Sequence, residues 1–501
     1  MKILSAEQIR EADKYTIEHE PISSVDLMER ASLTFAEKFK KCYSVEKPVV
    51  VIAGKGNNGG DGLAIARILS ESGYKVSIYT FGSDSEGSDD FKENFRRLDN
   101  SIPVVRIQED LSFSDLEPNT ILLDAIFGTG LSLSVEGAYS KVIESMNNSS
   151  LEIVSVDIPS GLFCDELNKA SDIIVRASRT FTFQLPKLTF FLPETENHLG
   201  VWEVLDIDLD NDFIQNSKTR YHLNDQKGLK PLYKKRSKYS HKGNFGKCLL
   251  IGGSYGKMGA MVLMSRACLK SGAGLITSHI PKCGYEILQS TVPEVMCSTS
   301  SSPNMLDDIP KNLNNYDVIG IGPGLGKSDE TISVVKQLLR NYSEPIIFDA
   351  DALNIIAHGN MLNFISPGSI LTPHVKEFDR LFGKNVHSFE RIKKAHEYSQ
   401  ERKVICVLKG AHTAIITPEK VYFNDSGNPG MATGGSGDVL TGIITGLLGQ
   451  GYSPSDSARI GVFLHGASGD IAKQNEGEEF ISASSIIDNL GKAILQTFSE
   501  D

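Results

Sequence analysis

Short runs of β-branched and aliphatic residues alternate along the chain with longer stretches whose apolar positions recur every three or four residues. In the first half, Val49 to Ala53, Lys75 to Phe81, Thr120 to Ala125 and Glu152 to Asp157 read as strands. Strands separated by helical stretches predict a parallel sheet covered by helices. Two amphipathic segments, Ser5 to Glu18 and Ser23 to Lys41, precede the first strand, with Ser5 and Ser23 placed as N-caps. Near Asp206 the pattern gives way to a polar segment that runs from acidic to basic as far as Gly246. A second series follows at Lys247 to Ile251, Leu275 to Ile280, Asp317 to Ile321, Pro345 to Asp349 and Val404 to Leu408, then Thr413 to Thr417 and Val421 to Phe423. It closes in helices predicted at Asp438 to Leu448, Pro454 to Lys473 and Ser482 to Thr497.

With 501 residues, the chain is about twice the ~250 at which one core stops growing. A boundary near residue 220 therefore divides it into domains 1–220 and 221–501, each an α/β sheet between two helical layers. Charge narrows the partners. The 51 Lys and Arg against 63 Asp and Glu give a net charge of -12, which repels nucleic acid and anionic membrane. The basic run Lys227 to Lys242 reads as a solvated linker rather than a nucleic-acid patch. Seven scattered cysteines without CxxC spacing suggest neither zinc nor a disulfide framework and fit a cytoplasmic setting. No export signal is expected at the N-terminus, where charges interrupt any apolar stretch.

The chemistry gathers at strand ends. GKGNNGGDG, Gly54 to Gly62, follows the first strand and opens a helix, so backbone N–H groups can approach an anion at the helix's positive end. Gly54, Gly56 and Gly59 match GxGxxG, but the next strand ends in Tyr79-Thr80-Phe81, without the acidic residue that holds a ribose in dinucleotide dehydrogenases. No Gly-Lys-Ser/Thr makes it a Walker A loop either. Asp124 precedes Gly128-Thr129-Gly130-Leu131, and Asp157 precedes Ile158-Pro159-Ser160-Gly161. Loops at the carboxyl ends of a parallel sheet converge, so Asn58, Asp61, Asp124, Asp157 and Ser160 can share one site of oxygen ligands suited to a hard cation; alternatively, each Asp only caps a turn.

In the second half, NPGMATGGSGDVLTGIITGLLGQG, Asn428 to Gly451, sets a glycine-rich turn and Asp438 at a helix start. The turn would receive phosphoryl oxygens while Asp438 accepts a proton from a hydroxyl. Lys409 to Thr413 forms a strand, turn and strand able to meet a nucleotide. GPGLG, Gly322 to Gly326, and FDADALN, with Asp349 and Asp351, end two more strands. His374 and Glu377 begin a helix, where a lone histidine is as readily a cap as a catalyst.

GKGNNGGDG, DAIFGTGL and SVDIPSG, in that order over roughly residues 1 to 215, resemble the NAD(P)H-hydrate epimerase family. The resemblance implies that Asn57, Asn58, Gly59, Gly60, Asp61, Gly128, Thr129, Gly130, Leu131, Ser132, Leu133, Ser134, Tyr139 and Asp157 contact a hydrated nicotinamide nucleotide. It also implies that Asn58, Asp124 and Ser160 hold potassium. After Gly130-Leu131 the family usually has an Arg-Pro-like stretch; here stand Ser132-Leu133-Ser134, which supply no arginine to a phosphate. The implied reaction is isomerisation of the R and S hydrates at C6, with Asp157 as the acid/base candidate.

HKGNFG, GGSYGKMGA, GAGL, GPGLG, DADALN, LTPH, KGAHT and ATGGSGDVL resemble the ribokinase-like superfamily, and within it the NAD(P)H-hydrate dehydratase family. That resemblance implies hydrate contacts at Ala260, Gly324, His374 and Asp438. It implies adenine-nucleotide contacts at Lys409, Gly410, Ala411, His412 and Thr413, and at Asn428, Pro429, Gly430, Met431, Ala432, Thr433, Gly434, Gly435, Ser436 and Gly437. Together the two resemblances imply an N-terminal Rossmann-like sheet, a C-terminal ribokinase-like sheet, and a bifunctional isomerase and lyase that uses ADP and magnesium as a homo-oligomer, tetramer or larger. The sequence does not separate ADP from ATP, which share the adenosine and proximal phosphates. A vitamin-alcohol kinase carrying a non-catalytic nucleotide-binding module is the rival reading.

Overall fold

A computed structural model describes residues 1–107 and 111–499. Its contacts divide the chain into two units, Lys2–Thr219 and the stretch from Arg220 onward together with Met1.

The N-terminal unit is built on seven strands: β1 (Val49–Ala53), β2 (Val76–Thr80), β3 (Val104–Arg106), β4 (Ile121–Ala125), β5 (Glu152–Val156), β6 (Arg179–Phe183) and β7 (Val201–Leu205). They pair in parallel throughout, in the order β3-β2-β1-β4-β5-β6-β7. Every residue of β1 is buried because helices cover both faces. Val49, Val51 and Ala53 enter one cluster with Phe35 and Phe39 of the helix Ser24–Cys42, whereas Val50 and Ile52 enter the opposite one with Ile143 and Met146. Ser5 and Ser23 cap the first two helices as expected: Ser5 accepts from the Gln8 N–H in a reciprocal capping box, and Ser23 accepts from the Asp26 N–H. The strand order reverses between β1 and β4, which opens a crevice at their carboxyl ends.

The C-terminal unit holds ten strands: β8 (Tyr221–Asn224), β9 (Lys247–Ile251), β10 (Leu275–Ile280), β11 (Met296–Thr299), β12 (Val318–Ile321), β13 (Ile346–Phe348), β14 (Ile370–Leu371), β15 (Ile405–Leu408), β16 (Ala414–Ile416) and β17 (Val421–Asn424). Their order is β11-β10-β9-β12-β13-β14-β15-β16-β17-β8, with antiparallel pairing confined to β15-β16 and β16-β17. β8 departs from the sequence reading. It lies in the polar segment where only a domain boundary was read, yet it pairs in parallel with β17 and ends in the buried Asn224, whose amide donates to Asn424 and to the Arg459 carbonyl.

At the centre, the helix Ser436–Gly449 packs along Met258–Lys270. This approach requires glycine: a methyl group at Gly442 would collide with the Met264 carbonyl. The start of Ser436–Gly449 is thereby fixed over the second reversal of strand order, between β9 and β12.

Candidate active sites

In the N-terminal unit the crevice is a cavity of about 630 Å³. Asn57, Asn58, Asp61, Gly128, Thr129, Gly130, Leu131, Tyr139 and Asp157 line it. Gly59 and Gly60 do not. They pack inward, and a side chain at Gly59 would strike the Gly54 carbonyl. Ser132, Leu133 and Ser134 also stand off the wall: Leu133 is 77% exposed, and the Ser134 hydroxyl donates to Asp172 at 2.8 Å. Tyr139 forms an aromatic wall with Phe81 and Phe127, at centroid distances of 4.1 and 4.8 Å.

Asp157 sits just past β5 with φ at 66°, a left-handed conformation costly for a non-glycine residue and typical of constrained functional positions. The buried Lys187 donates to its Oδ1 at 2.6 Å, joined by the Phe183 N–H at 2.9 Å and the Thr182 hydroxyl at 3.2 Å. Lys187 spends its other protons on the carbonyls of Phe183 and Leu185, both at 3.1 Å. Among the described residues nothing donates to Oδ2. Lys187 was not singled out in the sequence, and its short bond pins the Asp157 carboxyl in place through Oδ1.

A second unanticipated group, Asp13 from the helix Ala6–His19, faces the same cavity. Burial first, and then the Asp157 charge, push its carboxyl up to about 7 against the opposing pull of Lys187. Asp61 is pushed well above the ordinary range by burial, then by Asp157, Asp13 and Asp90.

Behind the cavity, Asp124 is fully buried. It accepts from the Ser160 hydroxyl at 2.5 Å and from the Ser160 N–H and Ser155 hydroxyl, each at 2.8 Å. Burial raises its pKa against these bonds. Asn58 and Ser160 both reach the Phe127 carbonyl, at 3.0 and 3.3 Å. One carboxylate among neutral oxygens is a donor set suited to a hard monovalent cation. Among the described residues no group of three or more His, Cys, Asp or Glu is arranged to hold a metal.

In the C-terminal unit a cavity of about 380 Å³ is lined by Ala260, Gly324 and Asp438, together with Lys257, Asp351, Asn354 and Glu377. Gly435, at φ 91°, turns the chain into the helix Ser436–Gly449 without a side-chain cap; the Ser436 N–H reaches the Thr433 carbonyl at 3.4 Å, and among the described residues the N–H groups of Gly437 and Asp438 meet no acceptor and remain open to a ligand. Asp438 stands in that first turn. Burial and then the Asp349 charge raise it to about 7, with Lys409 opposing. Asp349 is buried and clamped: Lys409 donates to Oδ1 at 2.9 Å and Thr441 to Oδ2 at 2.8 Å. Burial alone would lower Lys409, but Asp349, Glu377 and Asp438 outweigh it and raise its pKa. The Lys409 ammonium is thus committed to Asp349.

His374 is not on the cavity wall. It caps the helix Val375–Phe382, its Nδ1 accepting from the Lys376 and Glu377 N–H groups while Glu377 accepts from its own N–H. The cap, one of the two roles left open for it, is the one seen here. In the following turn Thr413 closes on Gly410 through two hydrogen bonds, at 3.0 and 3.3 Å, and His412 reaches the Asn424 carbonyl at 3.2 Å.

Two residues that the sequence reading passed over brace the Asn428 to Gly437 loop. Asp470 accepts from the Gly427 N–H at 2.8 Å and the Asn428 amide at 2.9 Å. His465 Nε2 lies 3.0 Å from the Ser436 carbonyl, and burial lowers its pKa to about 4, so it is neutral at physiological pH. The local sequence FLHGASGD reads only as a helix, and nothing in it marks either role.

Comparison with known proteins covers both units. The family described as NAD(P)H-hydrate dehydratase matches residues 248–492, and the YjeF-related protein N-terminus matches residues 24–189. The bifunctional NAD(P)H-hydrate repair enzyme Nnr of Thermofilum pendens is 35% identical, with 100% of this chain and 97% of that protein covered. Those of Moorella thermoacetica and Escherichia coli are 34% and 30% identical, over 98% of this chain in each case and 96% and 93% of theirs. The solved structure of a ribokinase-like superfamily protein from Enterococcus faecalis is 28% identical and covers 57% of this chain and 99% of its own, with a TM-score of 0.50. With relatives this similar over the whole length and a family match in each unit, the chain belongs to the bifunctional NAD(P)H-hydrate repair enzymes.

Proposed function

We propose that the chain restores hydrated NADH and NADPH in two steps: residues 1–220 interconvert the R and S hydrates, and residues 221–501 dehydrate the S form with ADP as phosphoryl donor. The observation that carries the second step is Asp438, raised to about 7 beside the open N–H groups of a helix start. A carboxylate of that basicity takes a proton from the C6 hydroxyl near neutral pH. The oxygen then bonds to the terminal phosphorus of ADP, the bond from that phosphorus to the bridging oxygen breaks, and AMP leaves. Phosphate is a far better leaving group than hydroxide, their conjugate acids having pKa values of about 6 and about 15.7. As the ring nitrogen donates its electron pair, the C6–O bond breaks to release phosphate. Loss of a C5 proton then restores the dihydronicotinamide.

The backbone of Gly434 to Gly437 receives the moving phosphoryl group. The turns at Lys409 to Thr413 and Asn428 to Gly437 hold the nucleotide, while Ala260 and Gly324 shape the hydrate pocket. Magnesium would come bound to the phosphates and neutralise their charge. Asn58, Asp124 and Ser160 would hold potassium beside the N-terminal cavity, where its charge favours bound phosphate. A homo-oligomer, tetramer or larger, in the cytoplasm completes the reading; family resemblance supports the assembly and seven free thiols support the location.

The rival kinase reading would leave a phosphorylated product to accumulate, and full-length relatives that are repair enzymes argue against it. Asp438→Ala should abolish ADP-dependent recovery of reduced-nicotinamide absorbance while R/S interconversion continues. Loss of both activities together would count against two separate sites.

A further inference from the structure

The two cavities share an electrostatic construction. In the C-terminal unit a half-buried lysine is bonded to one aspartate, Lys409 to Asp349 at 2.9 Å, and a second aspartate, Asp438, faces the cavity. In the N-terminal unit Lys187 is bonded to Asp157 at 2.6 Å, and the second aspartate is Asp13. Among the described residues, no side chain or backbone N–H donates to the Asp13 carboxyl. It faces a cavity of about 630 Å³, large enough for a nucleotide end.

We propose that Asp13 is the catalytic acid/base of the epimerising site, moving the proton to and from the C6 hydroxyl oxygen, while the Asp157 carboxylate, held by Lys187, stabilises the cation formed at C6. The inference rests on reading this cavity as the epimerising site. Protonated Asp13 gives its proton to the hydroxyl oxygen, the C6–O bond breaks with its electron pair on oxygen, and water leaves. The ring nitrogen's lone pair forms the N1–C6 double bond, so the ring becomes a planar cation. Water then adds through oxygen to the other face of C6, and the proton it sheds returns to the Asp13 carboxylate through the water just released. No oxidant and no net proton is needed. Asp157 suits the second role because it faces the cavity, with Oδ2 undonated among the described residues and Oδ1 held by the Lys187 ammonium, whose other contacts are carbonyls. Asp13 suits the first because burial and the Asp157 charge raise it to about 7. The other charged groups around it are Lys187, Asp61 and Asp90, with Arg10 and Lys55 on the cavity wall.

The test starts from purified R hydrate with the full chain and follows its approach to the R/S mixture without nucleotide, the enzyme-free rate subtracted. Asp13→Asn should lower kcat about 10²-fold or more and leave KM within a few-fold. Wild type should lose rate as pH rises through about 7, where Asp13 deprotonates, and the variant should lack that fall. Asp13→Glu should restore part of the rate and the pH dependence. ADP-dependent dehydration of the S hydrate by the same preparation should be unchanged, showing that the chain is folded. Wild-type kcat in Asp13→Asn, a loss confined to KM, or an unaltered pH profile would overturn the assignment. Failure of the unsubstituted chain to interconvert the hydrates would instead overturn the reading of the cavity.

Discussion

Each unit sets a lysine against an aspartate at the carboxyl ends of parallel strands, but the two differ in which aspartate meets the cavity. In the N-terminal unit the paired carboxylate, Asp157, is itself on the wall. In the C-terminal unit the paired Asp349 lies behind, its side chain 2% exposed, and Asp438, which Lys409 does not bond, is on the wall with Asp351 and Glu377. The difference follows the chemistry proposed for each. Expelling water from C6 without a phosphoryl group leaves a cation that needs a facing anion. Phosphoryl transfer needs a base, the part proposed for Asp438.

The harshest way to break the comparison is Lys187→Met. It leaves Asp157 buried without its ammonium, and removing one partner of such a pair costs about 3–5 kcal/mol. Epimerisation should fall by at least two orders of magnitude with a lowered Tm for the N-terminal unit, read by activity and calorimetry. Near-wild-type epimerisation would show that Asp157 need not be held by Lys187. Asp349→Asn probes the other side: without the charge that raises it, and with Lys409 freed, Asp438 should ionise at lower pH. The acid limb of dehydration should then shift downward in a kcat/KM profile.

The smallest effect sharpens the shared feature. An aspartate raised from about 3.9 unfolded to about 7 folded binds more protons in the native state between those values, so stability falls as pH rises through that window. Asp438→Asn should therefore gain stability relative to wild type at pH 8, by up to ~4 kcal/mol, and show no such gain at pH 4. Equal Tm differences at both pH values would contradict the raised value.

What the sequence made legible was local. GKGNNGGDG and GGSGD announce their turns because glycine spacing, helix start and strand end lie within a few residues of one another. Asp13 and Lys187 were not legible, because their meaning lies in Asp157, 144 and 30 residues away. Lys187 sits in QLPKLTFF, where a lysine ordinarily reads as surface, and only the fold shows its three protons satisfied by one carboxylate and two carbonyls. β1, β4, β5, β9, β12, β13 and β15 were found because covered parallel strands are continuously apolar, whereas the interior strands β6 and β14 were not singled out. The edge strand β3 was missed because all three of its residues are exposed. β8 was missed because RYHLN gains its partner only when β17 arrives, some 200 residues later.

That late partnership determines where the gene can be cut. The dehydratase family match begins at residue 248, so a clone trimmed to it would lack β8 and strip β17 of its outer neighbour. The exposed row of backbone amides and carbonyls would recruit strands from other molecules, and the fragment would come out of expression as aggregate although every catalytic residue was retained. Starting the clone ahead of Tyr221 keeps that border sealed.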